Sequence, residues 1–217
     1  MRLCNFTNKD IFSSNFKLIS LLTAVSVTML FSLVDQTGWA AVIECPHGVA
    51  ICNGTDEDDL ITGTTDDAVI HGLGGNDYII GWALNNFIYG DDGNDTLIGG
   101  NYHDGLYGGN GSDSYDGRDG HDTIYEDYHN EGSFVNNDDI ISGGIGHDFI
   151  FSGEGSDKIN GGPGSDFIKP SPDWRDFSPD VINCGSSGSA PDAVNSFYSG
   201  DGDTAALNCE LIQTQDK

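Results

Sequence analysis

An apolar side chain returns at every ninth residue across most of the middle of this chain. Counted in nines from Gly54, repeats begin at 54, 63, 72, 81, 90, 99, 108 and 117, and again at 134, 143, 152 and 161. The eighth place of these twelve copies reads Ile61, Ile70, Ile79, Ile88, Leu97, Leu106, Tyr115, Ile124, Ile141, Ile150, Ile159 and Ile168. The sixth place is aspartate in ten copies: Asp59, Asp77, Asp95, Asp104, Asp113, Asp122, Asp139, Asp148, Asp157 and Asp166. Ala68 and Asn86 are the exceptions. The first place is glycine in all but two copies, which carry Phe134 and Ser152. A disordered Gly/Asp tract has no use for apolar residues held in phase.

The residue types say what one repeat builds. Segments such as "DTLI" and "DFIF" suit strands of three or four residues. The glycines ahead of them suit tight turns that need positive φ and close backbone approach. Nine residues therefore make one turn and one short strand, and two repeats make an 18-residue coil with its eighth-place side chains pointing inward. One coil buries too little to stand alone and must be covered by neighbours, which is the logic of a solenoid. Aspartate at every turn then stacks like charges on neighbouring coils, where they repel. A solvated acidic edge is one way to tolerate this. A hard divalent ion resolves it better, and calcium, which accepts several carboxylate and carbonyl oxygens at once, suits the pattern better than magnesium.

"GGNGSDSYD" (108–116), "GGIGHDFIF" (143–151) and "GGPGSDFIK" (161–169) satisfy every place of G-G-x-G-x-D-x-(apolar)-x. The chain thereby resembles the RTX family of haemolysin-type calcium-binding repeats. The resemblance covers 54–125 and 134–169 and implies an all-β, right-handed parallel β-roll. It further implies Ca2+ between the turns of successive coils, held by turn carbonyls and by the ten sixth-place aspartates. Alternate repeats share an edge of such a roll. One edge would carry Asp59, Asp77, Asp95 and Asp113; the other would carry Ala68, Asn86, Asp104 and Asp122. The second block would add Asp139 with Asp157 and Asp148 with Asp166. "GWALNNFIY" (81–89) and "GGNYHDGLY" (99–107) depart from the glycine pattern, which puts the ligands of that edge in question.

The ends read differently. Residues 18–33 form an uncharged apolar run after Lys9 and Lys17 and before "VDQTGWA", the order of a secretory signal peptide cleaved after Ala40. An uncleaved anchor is the rival, although the run is short for a span. The whole chain carries 35 acidic and 8 basic residues, net -27. Removing 1–40 takes away Arg2, Lys9, Lys17, Asp10 and Asp35 and leaves 33 against 5, or -28. Such a surface repels nucleic acid and anionic membranes. Cleavage also removes Cys4 and leaves Cys45, Cys52, Cys184 and Cys209. An even number in an exported chain points to disulfides, most simply between near neighbours; zinc competes, but no Cys-x-x-Cys pair is present.

The expected organisation is thus a signal peptide (1–40), an N-terminal cap (41–53), a first repeat block (54–125), a loop insertion (126–133), a second block (134–169) and a disulfide-bonded C-terminal cap (170–217). His129 and Glu131 in the insertion read as loop residues rather than metal ligands, and Trp174 and Phe177 as anchors against the last coil. Neither H-E-x-x-H nor G-x-S-x-G occurs. The expected function is a secreted, non-enzymatic calcium-binding module outside the cytoplasm, with the periplasm as the other destination. Two alternatives stand beside it. One is calcium-dependent adhesion or binding of extracellular polysaccharide through Trp82, Tyr102 or the tail aromatics; the other is a small secreted hydrolase.

Overall fold

In a computed structural model the chain is described over residues 41–48, 50–64, 68–82, 84–126, 137–170, 178–187, 193–197, 204–205, 209 and 211–214. The expected signal peptide, His129, Glu131, Phe134, Trp174 and Phe177 lie outside these residues. Every regular element among the described residues is a β-strand. One sheet of nine parallel strands runs Ala41–Glu44, Asp59–Thr62, Tyr78–Ile80, Thr96–Ile98, Ser114–Asp116, Ile140–Ser142, Lys158–Asn160, Val181–Asn183 and Thr204–Ala205. The second runs Ile51–Asn53, Ala68–Gly74, Asn86–Asp92, Gly105–Asn110, Thr123–Tyr125, Phe149–Phe151, Phe167–Lys169, Ala193–Phe197 and Leu211–Thr214. The strands of these two sheets alternate along the chain, as an 18-residue coil requires. The protein is a parallel β-solenoid.

Register follows the eighth place. Ile61 pairs with Ile79, Ile79 with Leu97, and Leu97 with Tyr115 on one sheet. Ile70 pairs with Ile88, and Ile88 with Leu106, on the other. All twelve eighth-place side chains are buried in a single core between the sheets. Each buried aliphatic is worth about 1.5–3 kcal/mol, so the core is a sum of small, equal increments along the coil axis. Its two ends are closed covalently by Cys45–Cys52 and Cys184–Cys209, the local pairing that the sequence favours over zinc.

The blocks on either side of the insertion form one roll. Ser114–Asp116 pairs directly with Ile140–Ser142, and Thr123–Tyr125 with Phe149–Phe151, across 26 residues instead of 18. Glu126, expected as the first loop residue, sits in the coil: it is fully buried and its N–H donates to the Phe151 carbonyl, the bond that first-place Gly54 makes to His71. At the N-terminal end, 41–53 supplies the first strand of each sheet rather than a separate covering element. At the other end "DVINCG" continues the first sheet, with Ile182 under Ile159. Four two-residue strands, Asp119–Gly120, Ile145–Gly146, Pro163–Gly164 and Ser186–Ser187, make a third sheet along one turn edge.

The outer face of the second sheet holds a feature that the nine-residue pattern did not announce. The ninth-place rings of His71, Tyr89, Tyr107, Tyr125 and Phe151 stack face to face in one column, with centroids 4.4 to 5.7 Å apart. Strand spacing of about 4.8 Å sets that separation. Identical places on stacked coils fall on one line, so aromatic residues placed there must meet.

Candidate metal centre

The two turn edges carry the chemistry. Because side chains alternate in and out along the strand, the sixth place points inward, and all ten candidate aspartates are buried. On the first edge Asp59, Asp77, Asp95, Asp113, Asp139 and Asp157 stack in order. The Oδ1 of each later aspartate accepts the backbone N–H of the one before it, at 2.6 to 2.9 Å. Asp180 extends this edge by accepting from Asp157 at 2.9 Å. On the second edge the chain of bonds runs from Asn86 through Asp104, Asp122 and Asp148 to Asp166, at 2.7 to 3.0 Å. Ala68, at the head of this edge, offers no side-chain oxygen.

The pairs Asp113 with Asp139 and Asp122 with Asp148 were not anticipated. Counting stops at the insertion in sequence, whereas the ladder passes through it in space. Asp180 lies beyond the last regular repeat, 23 residues after Asp157, and that odd spacing hid it.

A complementary ladder lies one residue earlier. The fifth-place side chain of each coil accepts the fifth-place N–H of the next: Asp58 from Asn76, Asn76 from Asn94, and Asn94 from Ser112. On the other edge His103 accepts from His121, His121 from His147, and His147 from Ser165, each through Nδ1 at 2.7 to 2.9 Å. These three histidines therefore stand in for asparagine as acceptors, with the neutral ring's proton on Nε2. The turn is thus clamped on both sides of its peptide before any ion is considered.

What the ladder leaves over is the second carboxylate oxygen. The Oδ2 atoms of Asp77, Asp95, Asp122 and Asp148 are buried without a hydrogen-bond partner, a condition that costs free energy unless something else neutralises it. A glycine borders each one. A Cβ added at Gly72 would collide with Asp77 Oδ2 and approach the Gly90 carbonyl oxygen; one at Gly90 would collide with Asp95 Oδ2 and approach the Gly108 carbonyl. The bare glycines keep carboxylate and main-chain oxygens facing a common space. Burial, and after it the charge of neighbouring aspartates, pushes the carboxyls of Asp77 and Asp95 up to about 7 and that of Asp122 up to about 8. Burial also raises Asp148, to about 6, and Asp104, the latter against hydrogen bonds from Gly100 and Asn86.

Among the described residues no three His, Cys, Asp or Glu side chains converge on one point, which is not the geometry of a zinc centre. The donors here are pairs of carboxylate oxygens and backbone carbonyls, all hard oxygens, and these fit calcium. Neither the Arg118–Asp116 ion pair nor the His71–Asp91 hydrogen bond engages a ladder carboxylate.

Comparison with known proteins agrees with this chemistry. No curated protein matches the chain. The family model for the RTX calcium-binding nonapeptide repeat matches residues 53–88, 89–124 and 135–168. These segments coincide with the coils whose turns carry the two ladders. With its repeats in phase, its roll closed and its edges lined by carboxylates, the chain belongs to the RTX calcium-binding nonapeptide-repeat family, and calcium is the ion of its repeats.

Proposed function

We propose that this protein is an exported, non-catalytic β-roll that folds and stiffens on calcium and serves outside the cytoplasm as a structural or interaction module. The observation that carries the reading is the row of buried Oδ2 atoms on Asp77, Asp95, Asp122 and Asp148 without hydrogen-bond partners. Asp59, Asp77, Asp95, Asp104, Asp122, Asp139, Asp148, Asp157 and Asp166 supply the carboxylates, and Asp180 joins them. Extracellular calcium modules bind at about 10⁻⁴ to 10⁻³ M, and the two disulfides suit the same oxidising surroundings. Side-by-side titrations with calcium and magnesium, read by calorimetry, test it. Calcium should saturate several sites per chain, and magnesium at equal concentration should give little heat. Equal binding of both ions would overturn the reading.

A second reading has one observation in its favour. Trp82 and Tyr102 are about half exposed on neighbouring turns of the second edge, where the glycine pattern fails. Both suit a neutral glycan, because the charge of the chain repels acidic ones. Glycan-array binding that requires calcium and disappears in Trp82→Ala would establish it.

A further inference from the structure

We infer that the cradle at Asp113 is filled by the hydroxyl of Tyr115 and takes no calcium, so that the first edge is loaded as two separate runs. One run lies ahead, through Asp59, Asp77 and Asp95; the other lies behind, through Asp139, Asp157 and Asp180. The inference rests on the reading of the ladders as calcium columns.

At the eighth place of the repeats, eleven residues are isoleucine or leucine, and Tyr115 alone carries a polar atom at its tip. It is buried with the rest of the core. Its hydroxyl lies 3.4 Å from Asp113 Oδ2 on the first edge. A Cβ added at Gly108 would collide with both the Tyr115 hydroxyl oxygen and Asp113 Oδ2. At the equivalent glycines one and two coils earlier, Gly90 and Gly72, the neighbours of that space are the aspartate Oδ2 and the next coil's first-place carbonyl oxygen. At Gly108 the phenol takes the carbonyl's side. The next coil departs at the same place: its first residue is Glu126, fully buried. The Glu126 carboxylate reaches Gly153, where a Cβ would meet its Oε2.

Chemistry decides which occupant holds the space. The hydroxyl is a neutral donor that faces the Asp113 carboxylate. Calcium needs the same oxygen and at least five others at about 2.3–2.6 Å, and the phenol stands where those ligands would have to converge. The coil that admits the insertion is therefore tied together by a side-chain hydroxyl where its neighbours use an ion.

Counting bound calcium per chain by equilibrium dialysis tests this. Asp113→Asn keeps the Oδ1 acceptor for Asp95 N–H and should bind the wild-type number of ions, whereas Asp95→Asn should lose at least one. Tyr115→Leu, which restores the residue type of Leu97 and Leu106, should gain one ion, and adding Asp113→Asn to it should abolish the gain. Loss of calcium in Asp113→Asn equal to that in Asp95→Asn would overturn the inference and leave the columns standing. A folded Tyr115→Leu protein with the wild-type count would do the same. Asp95→Asn at the wild-type count would overturn the columns and the inference together.

Discussion

At the scale of single residues, calcium binding turns on which oxygens each sixth place can give. Asp77 and Asp95 each stand between two other aspartates on the first edge. Asn86 stands on the second edge between Ala68 and Asp104. Calcium affinity falls with lost ligand charge, so Asp77→Ala or Asp95→Ala should raise the calcium midpoint at least about tenfold and Asn86→Ala much less. A calcium titration of the three variants checks this, and equal effects would contradict the edge assignment. Protons compete for the same oxygens. Without calcium, Asp77, Asp95 and Asp122 keep their protons up to about pH 7 to 8 in the folded roll, but release them near pH 4 when unfolded. The folded state then binds more protons, so this contribution to stability is complete below about pH 4 and is lost as pH rises through 7 and 8. The calcium-free protein should show more β-structure by circular dichroism at pH 4.5 than at pH 8.5.

At the scale of the element, one turn and one strand explain nearly everything that sequence made legible. The apolar eighth place gave the core residue by residue, and the sixth place gave the buried acids, because a period of nine maps directly onto stacked coils. The failures have physical causes of their own. The insertion breaks the count in sequence but leaves Asp113 beside Asp139, since residues added between two strands need not change how those strands pair. The ninth-place column of rings was invisible because "HGLGG", "YGDDG" and "YGGNG" look like turn starts until the coils are stacked. Tyr107 sits in the middle of that column, between Tyr89 and Tyr125. Each stacked pair contributes about 0.5–1.5 kcal/mol beyond burial, so Tyr107→Ala should lower the stability of the calcium-loaded protein by about 1–3 kcal/mol in thermal melts. A loss no larger than that of Tyr78→Ala, an exposed tyrosine on the opposite sheet, would show the column to be ornamental.

At the scale of the whole molecule, a chain of net charge -27 with one or two core residues per strand cannot hold many buried carboxylates together unaided. The disulfides fasten the two ends of the core, across sequence separations of 7 and 25 residues, and a bridge of this kind contributes about 2–4 kcal/mol. Neither touches the middle coils, where Asp77, Asp95, Asp122 and Asp148 bury their charge. Reduction should therefore lower the melting temperature of the calcium-loaded protein while leaving its β-structure at room temperature, and calcium removal should abolish that structure with the disulfides intact. The most direct measurement is far-ultraviolet circular dichroism of the oxidised protein at pH 7.5, titrated from excess chelator to about 10 mM calcium. Binding free energy that becomes folding free energy predicts a largely unstructured spectrum at the start and a cooperative rise of β-signal between about 0.1 and 1 mM. A β-rich spectrum already present in chelator and unchanged by calcium would contradict the account.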